Sequence, residues 1–275
     1  GIMGMSIVTN IPSLIAQYNL SNTNIALNKS ISRLSSGSKI NTAQDDPAGL
    51  AISEKLKSQI TGLNASNRNA SDGVSALQVA DGGMTEIGNI LIRMKELALQ
   101  DSNETLSSND RNFLNTEFQQ LKSEIARISI STKFNGNALL SGAYSTGGTQ
   151  NGLLLQVGLD NVDADHMTVF ISNLGLTALG SIGEQVLTNM TIALSAGRAL
   201  INVTILQYID KAINDVSRAR SEVGSQLTRL SSTIRNLSIN TENLTAANSR
   251  IQDVDVAQET ADLTKIKYFY RQVLV

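Results

Sequence analysis

Apolar residues recur at seven-residue intervals along two long stretches of the chain. In the N-terminal half, one row runs through Leu56, Leu63, Ala70, Leu77, Met84, Leu91 and Ala98. A second, less regular row runs through Ile52, Ile60, Val74, Ile87 and Met94. Such recurrence places a narrow apolar stripe on one helix face. We therefore predict a long helix, with Asp46 as N-cap, Pro47 as first residue and a stutter near Gly82.

The C-terminal half has the more regular pattern. One row contains Val216, Val223, Leu230, Leu237, Leu244 and Ile251, and the other contains Ile213, Arg220, Leu227, Ile234, Thr241 and Asn248. A continuous helix over residues 213–251 would be about 57 Å long at 1.5 Å per residue. We predict that the two stripes pack into an elongated antiparallel rod. Its packing seam would contain Leu63, Leu77, Leu91, Leu230, Leu237 and Leu244.

Shorter elements are predicted between the two long helices. A helix begins at about Asn109, because Leu114, Phe118 and Leu121 continue a spacing of three and four residues. Further along, Leu153 to Leu159 and Met167 to Ile171 alternate apolar with other residues between glycine-rich turns, which is typical of half-buried strands. The fold class is therefore mainly α, an elongated antiparallel helical rod or coiled-coil bundle with a small β-hairpin region.

The N-terminal segment differs from the rod. Residues 6–34 place Ile7, Ile11, Leu14 and Tyr18 at helical spacing, but most intervening residues are Ser, Asn and Thr, which are weak helix formers. We expect this segment to stay loose until another surface covers its apolar stripe. The spacing alone leaves open a monomeric helical bundle beside a self-associating protein.

Composition narrows the function classes. Aromatic residues make up only 4% of the chain. Cys is absent, which excludes disulfides, thiolate metal sites and Cys nucleophiles. A net charge of −2 gives no electrostatic reason to bind nucleic acid or an anionic membrane. No apolar run is long enough for a membrane span, and we see no secretory signal peptide at the N-terminus.

Candidate chemistry is sparse. His166 is the only histidine, so a zinc-protease motif is impossible, and an ordinary surface role is expected for it. Asp160, Asp163 and Asp165 lack the remaining positions of an EF-hand loop and are interpreted as a solvated turn. Residues 37–39 (GSK) lack the upstream glycine of a P-loop. We therefore expect no catalytic, cofactor or metal site.

Several motifs resemble the bacterial flagellin family. Residues 33–41 (RLSSGSKIN) are similar to its "RLSSG-x-RIN" signature, and residues 67–73 (NRNASDG) to "SRNANDG". Residues 134–136 (FNG) match the family's "FNG" motif, and the run ENL…SRI…DVD within residues 242–255 occurs in the family's order. The similarity covers roughly residues 6–264.

This resemblance implies a structural, non-enzymatic subunit of the extracellular flagellar filament. It implies export through the flagellar type III machinery, a flagellin chaperone, and self-assembly into a helical polymer. The implied division of the chain is 1–44 (N-terminal polymerisation segment, disordered or helical on assembly), 45–134 (N-terminal part of the rod), 135–190 (small β region with minimal outer insertion), 191–255 (long C-terminal helix) and 256–275 (start of an atypical C-terminal polymerisation segment).

A recognition site is also implied. Residues 91–100 (LIRMKELALQ) resemble the flagellin segment read by the animal Toll-like receptor for flagellin. The matching positions are Arg93 and Leu97, with Glu117 on the next helix. Arg93 and Leu97 are four residues apart, so we expect them on one helix face. The alternative is ordinary helix surface that serves filament contacts.

The C-terminus departs from the family pattern. After Thr264 flagellins continue into a longer helix, whereas this chain has residues 265–275 (KIKYFYRQVLV). Either the chain is truncated or it is an atypical member, and in both cases we expect impaired polymerisation and impaired chaperone binding. The rival interpretations are a hook–filament junction protein and a surface adhesin or polysaccharide-binding homologue. A flagellin carrying a protease domain is excluded by the missing zinc ligands.

Overall fold

The computed structural model describes residues 10–181 and 198–273, so the predictions for residues 1–9, 182–197 and 274–275 lie outside the described residues. Its helices are α1 (Ile11–Ser36), α2 (Pro47–Asp101), α3 (Ser108–Ser131), α4 (Arg198–Gln252) and α5 (Val256–Val273). Its strands are β1 (Lys133–Phe134), β2 (Asn137–Ala138), β3 (Leu153–Gln156) and β4 (His166–Val169). Both sheets are two-stranded and antiparallel. The predicted mainly α class with a small β-hairpin region is confirmed.

Local sequence determines where α1 and α2 begin and end. The Asn10 side chain accepts a hydrogen bond from the Ser13 amide at 3.2 Å and so caps α1. That helix ends at Gly37, whose φ of 70° is accessible to glycine without strain. At the start of α2, Asp46 Oδ1 accepts a hydrogen bond from the Gly49 amide at 2.9 Å. The predicted N-cap Asp46 and first residue Pro47 are therefore confirmed.

The turn that leads into α3 and the turn that follows it are also explained by their residues. Ser107 and Asp110 form a reciprocal capping box at the start of α3. After the helix, Asn135 and Gly136 connect β1 to β2 with φ values of 49° and 81°. Asn and Gly are the pair that a two-residue hairpin with two positive φ angles prefers. The "FNG" motif is therefore a hairpin turn.

Tertiary contacts divide the chain into two units. The terminal unit consists of Gly1–Thr61 with Ile239–Val275, and the central unit of Gly62–Ser238. In the terminal unit α1 packs on α5, and the Ser30 hydroxyl donates to Glu259 Oε1 at 2.5 Å. The same unit contains the first turns of α2 and the last turns of α4, where the Ser53 hydroxyl lies 2.7 Å from Asn248 Oδ1.

The central unit contains the main hydrophobic core. Three side-chain pairs join α2 and α4: Asn67 with Ser238, Asp81 with Arg220, and Lys95 with Asp210. Residue numbers rise along α2 as they fall along α4, so the two helices are antiparallel in this unit. The largest fully buried side chains include Leu77, Met84, Leu91, Phe118 and Ile125. These come from α2 and α3, while α4 contributes Ile209 and Leu230.

The second row of α2 differs from the prediction. Its buried members are Ser66, Gly73, Ala80, Ile87 and Met94, with an unbroken seven-residue spacing. Ile52 is exposed, and there is no stutter near Gly82. The predictions that Ile52 belongs to the packed row and that the row shifts near Gly82 were therefore wrong. Small and polar residues occupy the upstream part of the row. Their small size lets the β3–β4 hairpin lie directly on α2, where the Ser66 hydroxyl donates to the Gly158 carbonyl at 2.9 Å.

The second row of α4 also differs in the central unit. Ile205, Ala212 and Ala219 are the buried residues, whereas the predicted Arg220 is exposed. The predicted Ile213, Leu227 and Ile234 are partly buried and pack against the core, beside the fully buried Ala212 and Ala219. Arg220 instead lies at the edge of the seam and pairs with Asp81, whose Oδ1 is 2.8 Å from Arg220 Nε.

Candidate assembly and recognition surfaces

Helix α1 exposes an apolar stripe in the terminal unit. Its most exposed large side chains are Ile11, Leu14, Ile15, Tyr18 and Ile25. Spacings of three, four and seven residues place them on one side of the helix. On α5, Tyr268 and Phe269 are also exposed, and their rings pack edge to face with centroids 6.3 Å apart. Exposed apolar residues in such a group are typical of an interaction surface.

A groove of about 400 Å³ lies between α1 and α5. Lys29 and Arg33 line it from α1, and Glu259, Lys265 and Phe269 line it from α5. Arg33 Nη1 is 3.8 Å from Glu259 Oε2, which is a loose ion pair, and Arg33 Nε has no hydrogen-bond partner within the described part of the chain. The groove therefore combines an apolar wall with charged groups of both signs.

The two chain bends of the terminal unit are joined by backbone hydrogen bonds. The bend between α1 and α2 contributes Gly37 and Lys39, and the bend between α4 and α5 contributes Gln252 and Val254. The Lys39 amide donates to the Gln252 carbonyl at 2.6 Å, and the Val254 amide donates to the Gly37 carbonyl at 3.0 Å. Because the end of α1 and the start of α5 are fixed to each other here, these bends set the position at which α5 meets α1.

Asp45 anchors the first bend. Its Oδ1 lies 2.6 Å from Lys29 Nζ, and its Oδ2 accepts hydrogen bonds from the Asn41 and Thr42 amides, each at 3.1 Å. The hydrogen bond from Lys29 and the two backbone amides hold the pKa of this carboxyl well below its ordinary value of 3.8. The ionised carboxylate therefore stabilises the bend and links it to α1.

Arg93 and Glu117, two of the three residues that the motif resemblance implies for receptor recognition, are in contact. Arg93 Nε lies 2.8 Å from Glu117 Oε1, which connects α2 to α3, and Arg93 Nη1 lies 3.0 Å from Glu96 Oε2. The hydrogen bonds that Arg93 donates to Glu117 and then to Glu96 raise the pKa of its guanidinium. Both Arg93 and Glu117 remain about half exposed. They form a polar, accessible pair on the surface of the central unit.

Leu97 does not share that surface. Its side chain is fully buried in the core of the central unit. Arg93 and Leu97 were expected on one helix face, but Arg93 is about half exposed whereas Leu97 is removed from solvent. Residues i and i+4 on a helix are separated by about 40° of rotation, and here the core boundary passes between them. Exposed apolar residues of this part of the central unit include Ile92 and Leu99 on α2 and Phe113 on α3.

The predicted seam leucines lie at different depths. Leu77, Leu91 and Leu230 are fully buried in the central unit, and Leu63 and Leu237 are buried there with slight exposure. Leu244, in the terminal unit, is only partly buried. The seam is therefore closed in the central unit and opens along α4 beyond Leu237.

Sequence patterns did not predict the buried ion pair between Asp101 and Arg111. It closes the α2–α3 turn, and Arg111 Nη1 also donates to the Asp101 carbonyl while Nη2 donates to the Asn103 carbonyl at 2.7 Å. A charged residue of each sign beside a predicted turn could have indicated it. A second unpredicted contact is made by Gln226, whose side-chain oxygen accepts from the Phe170 amide and whose side-chain nitrogen donates to the Phe170 carbonyl.

The residues considered for metal or catalytic chemistry form ordinary turn contacts. Asp165 Oδ2 accepts a hydrogen bond from the Asp160 amide at 2.7 Å, and His166 is paired with Gln156 in the β3–β4 sheet. Among the described residues there is no group of three His, Asp or Glu side chains that could hold a metal ion. Within the same residues, no helix is both long and apolar enough to cross a membrane.

Comparison with known proteins identifies the family. The model of the bacterial flagellin N-terminal helical region matches residues 7–145, and that of the bacterial flagellin C-terminal helical region matches residues 206–272. Flagellin of Halalkalibacterium halodurans is 41% identical over 265 residues, which cover 95% of this chain and 90% of the relative. Flagellin of Bacillus subtilis is 38% identical, with 95% and 91% of the two chains covered.

A solved structure from Vibrio parahaemolyticus, described as a putative flagellar hook-associated protein, has a similar fold. Its TM-score is 0.63 with 17% sequence identity, over 76% of this chain and 100% of the other. At that identity the likeness concerns the fold alone, so the fold does not separate flagellin from the hook-associated rival. The sequence identity to flagellins over nearly the whole chain does separate them. The chain belongs to the bacterial flagellin family and is a structural subunit of the extracellular flagellar filament, not an enzyme.

Proposed function

We propose that successive subunits dock through the apolar stripe of α1 and the aromatic pair of α5. The observation that carries this proposal is the row of exposed side chains Ile11, Leu14, Ile15, Tyr18 and Ile25. Removing one such side chain from water contributes about 1.5–3 kcal/mol when it becomes fully buried. A contact that is heterologous, with different surfaces meeting, extends into an open helical polymer.

Seeded filament elongation tests this proposal. The double variant Ile15→Ser/Tyr18→Ser should elongate filament seeds at least tenfold more slowly than the unmodified chain, because the docking stripe loses two apolar groups. The matched control is Leu154→Ser/Val162→Ser, which removes two similarly exposed apolar side chains near the β3–β4 hairpin. Equal elongation by the stripe variant and the unmodified chain would contradict the proposal.

We also propose that the Arg93–Glu117 pair is read by the animal Toll-like receptor for flagellin. The accessible ion pair across α2 and α3 supports this role, since a fixed guanidinium and carboxylate offer directional contacts to a partner. Leu97, being buried, would support the position of Arg93 rather than touch the receptor. The exposed Ile92 and Phe113 would supply apolar contact beside the pair.

Receptor signalling by the monomer distinguishes this second proposal. Arg93→Ala and Glu117→Ala should each lower potency by more than tenfold. The matched controls are Lys95→Ala and Asp210→Ala, because Lys95 and Asp210 form another exposed ion pair in the same unit, with 2.7 Å between Nζ and Oδ1. Full signalling by the Arg93 variant refutes the assignment without affecting the filament role.

Family membership suggests two further partners, the export machinery and a chaperone. We infer export through the flagellar type III machinery and capture by a flagellin chaperone, for which the exposed aromatic residues of α5 are a suitable contact. We propose the corresponding division into polymerisation segments 1–44 and 256–275, rod segments 45–134 and 191–255, and a β region at 135–190. Copurification of a tagged chaperone with the unmodified chain, but not with Tyr268→Ser/Phe269→Ser, tests the chaperone contact.

A further inference from the structure

Asparagine or aspartate directly precedes glycine at four places in the chain. The pairs at residues 72–73 and 81–82 are Asp-Gly, and those at residues 135–136 and 151–152 are Asn-Gly. Glycine carries no Cβ, so its backbone nitrogen can approach the side-chain carbonyl carbon of the preceding residue. Attack on that carbon closes a succinimide ring. The sequence gives all four pairs this chemistry, and the fold separates them.

The two Asp-Gly pairs are protected by helix α2, which contains both of them. Within a helix, each amide donates to the carbonyl four residues earlier, so the glycine nitrogen is held in place. The Asp81 carboxylate is also paired with Arg220, with 2.8 Å between Oδ1 and Nε. An ionised carboxylate is in addition a poor target for a nucleophile. We therefore expect these two pairs to stay unreactive.

The Asn151–Gly152 pair is held on both of its sides. The Gly147 amide donates to Asn151 Oδ1 at 2.9 Å, which engages the side-chain amide. Gly152 is buried, and a Cβ there would lie 2.4 Å from Thr168 Cγ2 and 3.1 Å from Phe170 Cε1. Rotation of this peptide towards ring closure therefore requires the surrounding packing to open.

The Asn135–Gly136 pair is free of such restraints. Both residues are exposed in the turn between β1 and β2. Within the described residues, the Asn135 side chain takes part in no hydrogen bond and the Gly136 amide donates none. A Cβ built at Gly136 would meet no atom within 4 Å. Both the attacking nitrogen and the side-chain amide are therefore open to solvent.

Ring closure at Asn135 still requires the turn to open. With Asn135 in the left-handed region, at a φ of 49°, the Gly136 nitrogen points away from the Asn135 side chain. The hairpin is short, because only two residue pairs join β1 to β2, and the pair next to the turn is Phe134 with Asn137. A two-stranded hairpin has little stability of its own in water. Loss of the pair next to the turn is therefore a small local opening.

We propose that Asn135 is a site of spontaneous deamidation in the folded chain, and that it reacts ahead of Asn151. The Gly136 nitrogen gives up its proton to solvent and forms a bond to Asn135 Cγ. The bond from Cγ to the side-chain nitrogen then breaks, and ammonia leaves. Water adds to one of the two ring carbonyls and opens the succinimide to aspartate or isoaspartate. Each event replaces a neutral amide by a carboxylate.

The product changes the shape of the turn as well as its charge. In isoaspartate the former side-chain carbon becomes part of the main chain, which lengthens a two-residue turn. Strand β2 leads directly into Leu139 and Leu140, which are buried in the central unit. A longer turn loosens the connection from α3 to these residues. Because ammonia is lost to solvent, the modification accumulates with the age of the chain. It concerns the central unit alone and does not depend on the docking proposal.

Timed incubation of the purified full chain tests the inference, once under native conditions and once unfolded in urea. Peptide mapping by mass spectrometry locates each asparagine that becomes aspartate or isoaspartate. Methyl transfer from S-adenosylmethionine by an isoaspartyl methyltransferase measures total isoaspartate. The variant is Asn135→Gly, and its matched control is Asn151→Gly. Both asparagines have a positive φ, which glycine adopts without strain, so both variants keep their turns.

In the folded chain Asn135 should convert at least about tenfold faster than Asn151, since a short exposed hairpin opens more readily than packing around a buried glycine. In urea the two rates should become similar, because both residues precede glycine. The rate at Asn135 should rise by about tenfold per pH unit, since the fraction of deprotonated amide does so. Asn135→Gly should remove most of the isoaspartate, and Asn151→Gly should leave it unchanged.

Two results would overturn the proposal. Equal rates at Asn135 and Asn151 in the folded chain would mean that the turn gives no selectivity. Conversion of Asn135 in urea without conversion in the folded chain would mean that the hairpin stays closed. The comparison with urea thus separates the effect of the fold from the chemistry that both asparagines share.

Discussion

Arg111 and Asp101 form an ion pair that is almost fully removed from solvent, with 3.3 Å between Arg111 Nη1 and Asp101 Oδ1. The guanidinium also binds the carbonyls of Asp101 and Asn103 at the end of α2. It therefore satisfies backbone groups that a helix C-terminus leaves without partners. This pair fixes the turn through which α3 folds back along α2, and so it supports the register of Arg93 against Glu117.

Replacing Arg111 by Met should destabilise the chain by about 3–5 kcal/mol, because a buried carboxylate loses its cation. Urea unfolding followed by circular dichroism measures this change. The double variant Asp101→Leu/Arg111→Met should recover part of the loss, since no buried charge then remains unpaired. If both variants are equally unstable, the carbonyl contacts of Arg111 matter more than its charge.

Adjacent glycines in α2 should respond to substitution in opposite directions. A Cβ at Gly82 would meet no atom within 4 Å, so Gly82→Ala should stabilise the chain by about 1 kcal/mol through helix propensity. A Cβ at Gly83 would lie 2.6 Å from Thr132 Oγ1 and 2.9 Å from Leu140 Cδ1. Because Leu140 is fully buried, Gly83→Ala should destabilise by roughly 1–3 kcal/mol.

Thermal unfolding of the two alanine variants under identical conditions checks this pair. Each protein serves as the control for the other, since the substitution, the helix and the neighbourhood in sequence are the same. A rise in melting temperature for both variants would mean that Thr132 and Leu140 move aside at little cost.

The fold was predictable where large apolar residues form the contact between packed helices. The first row of α2, from Leu63 to Ala98, and the row of α4 from Val216 to Leu237 are buried as their spacing predicts. The second rows were predicted only in part: Ile52 and Arg220 are exposed, while the small residues Ser66, Gly73, Ala212 and Ala219 are buried. Small residues are suited to the close approach of a neighbouring element, and that neighbour is known only from the tertiary structure.

At the recognition surface the sequence predicted which residues matter but not which of them are exposed. The motif indicated Arg93, Leu97 and Glu117, and the structure pairs Arg93 with Glu117. Burial of Leu97 could not be derived from its spacing, since residues four apart can lie on either side of a core boundary. The ion pair between Asp101 and Arg111 was missed because neither residue breaks a periodic pattern.

Truncation of seam leucines should show a gradient between the two units. Leu230 is fully buried, and Leu230→Ala should cost about 2–5 kcal/mol. Leu244 is partly buried, so Leu244→Ala should cost less than about 2 kcal/mol because part of its side chain already contacts water. Urea unfolding of the purified monomers measures both. Equal losses would show that Leu244 is as fully removed from solvent in the monomer as Leu230.

Acid should weaken the bend at Asp45. The pKa of this carboxyl is held below its ordinary value of 3.8, first by the hydrogen bond from Lys29 and then by the Asn41 amide. A carboxyl with a lowered folded-state pKa contributes stability that is complete above the unfolded-state pKa and is lost as the pH falls through the folded-state value. The contribution is therefore constant at neutral pH and begins to fall below about pH 4.

Asp45→Asn should accordingly lower the free energy of unfolding by about 1–2 kcal/mol at pH 7, because a charged acceptor is replaced by a neutral amide. The difference from the unmodified chain should shrink as the pH is lowered from about 4 towards 2, since the unfolded chain takes up a proton on this carboxyl before the folded one does. Lys29→Met should reproduce much of the loss at pH 7, since it removes the first cause of the lowered pKa. Urea titrations at neutral pH and at two acidic values, about pH 4 and pH 2, measure these differences on either side of the predicted change. A gap that stays constant over that whole range would show that Asp45 acts through its shape rather than its charge.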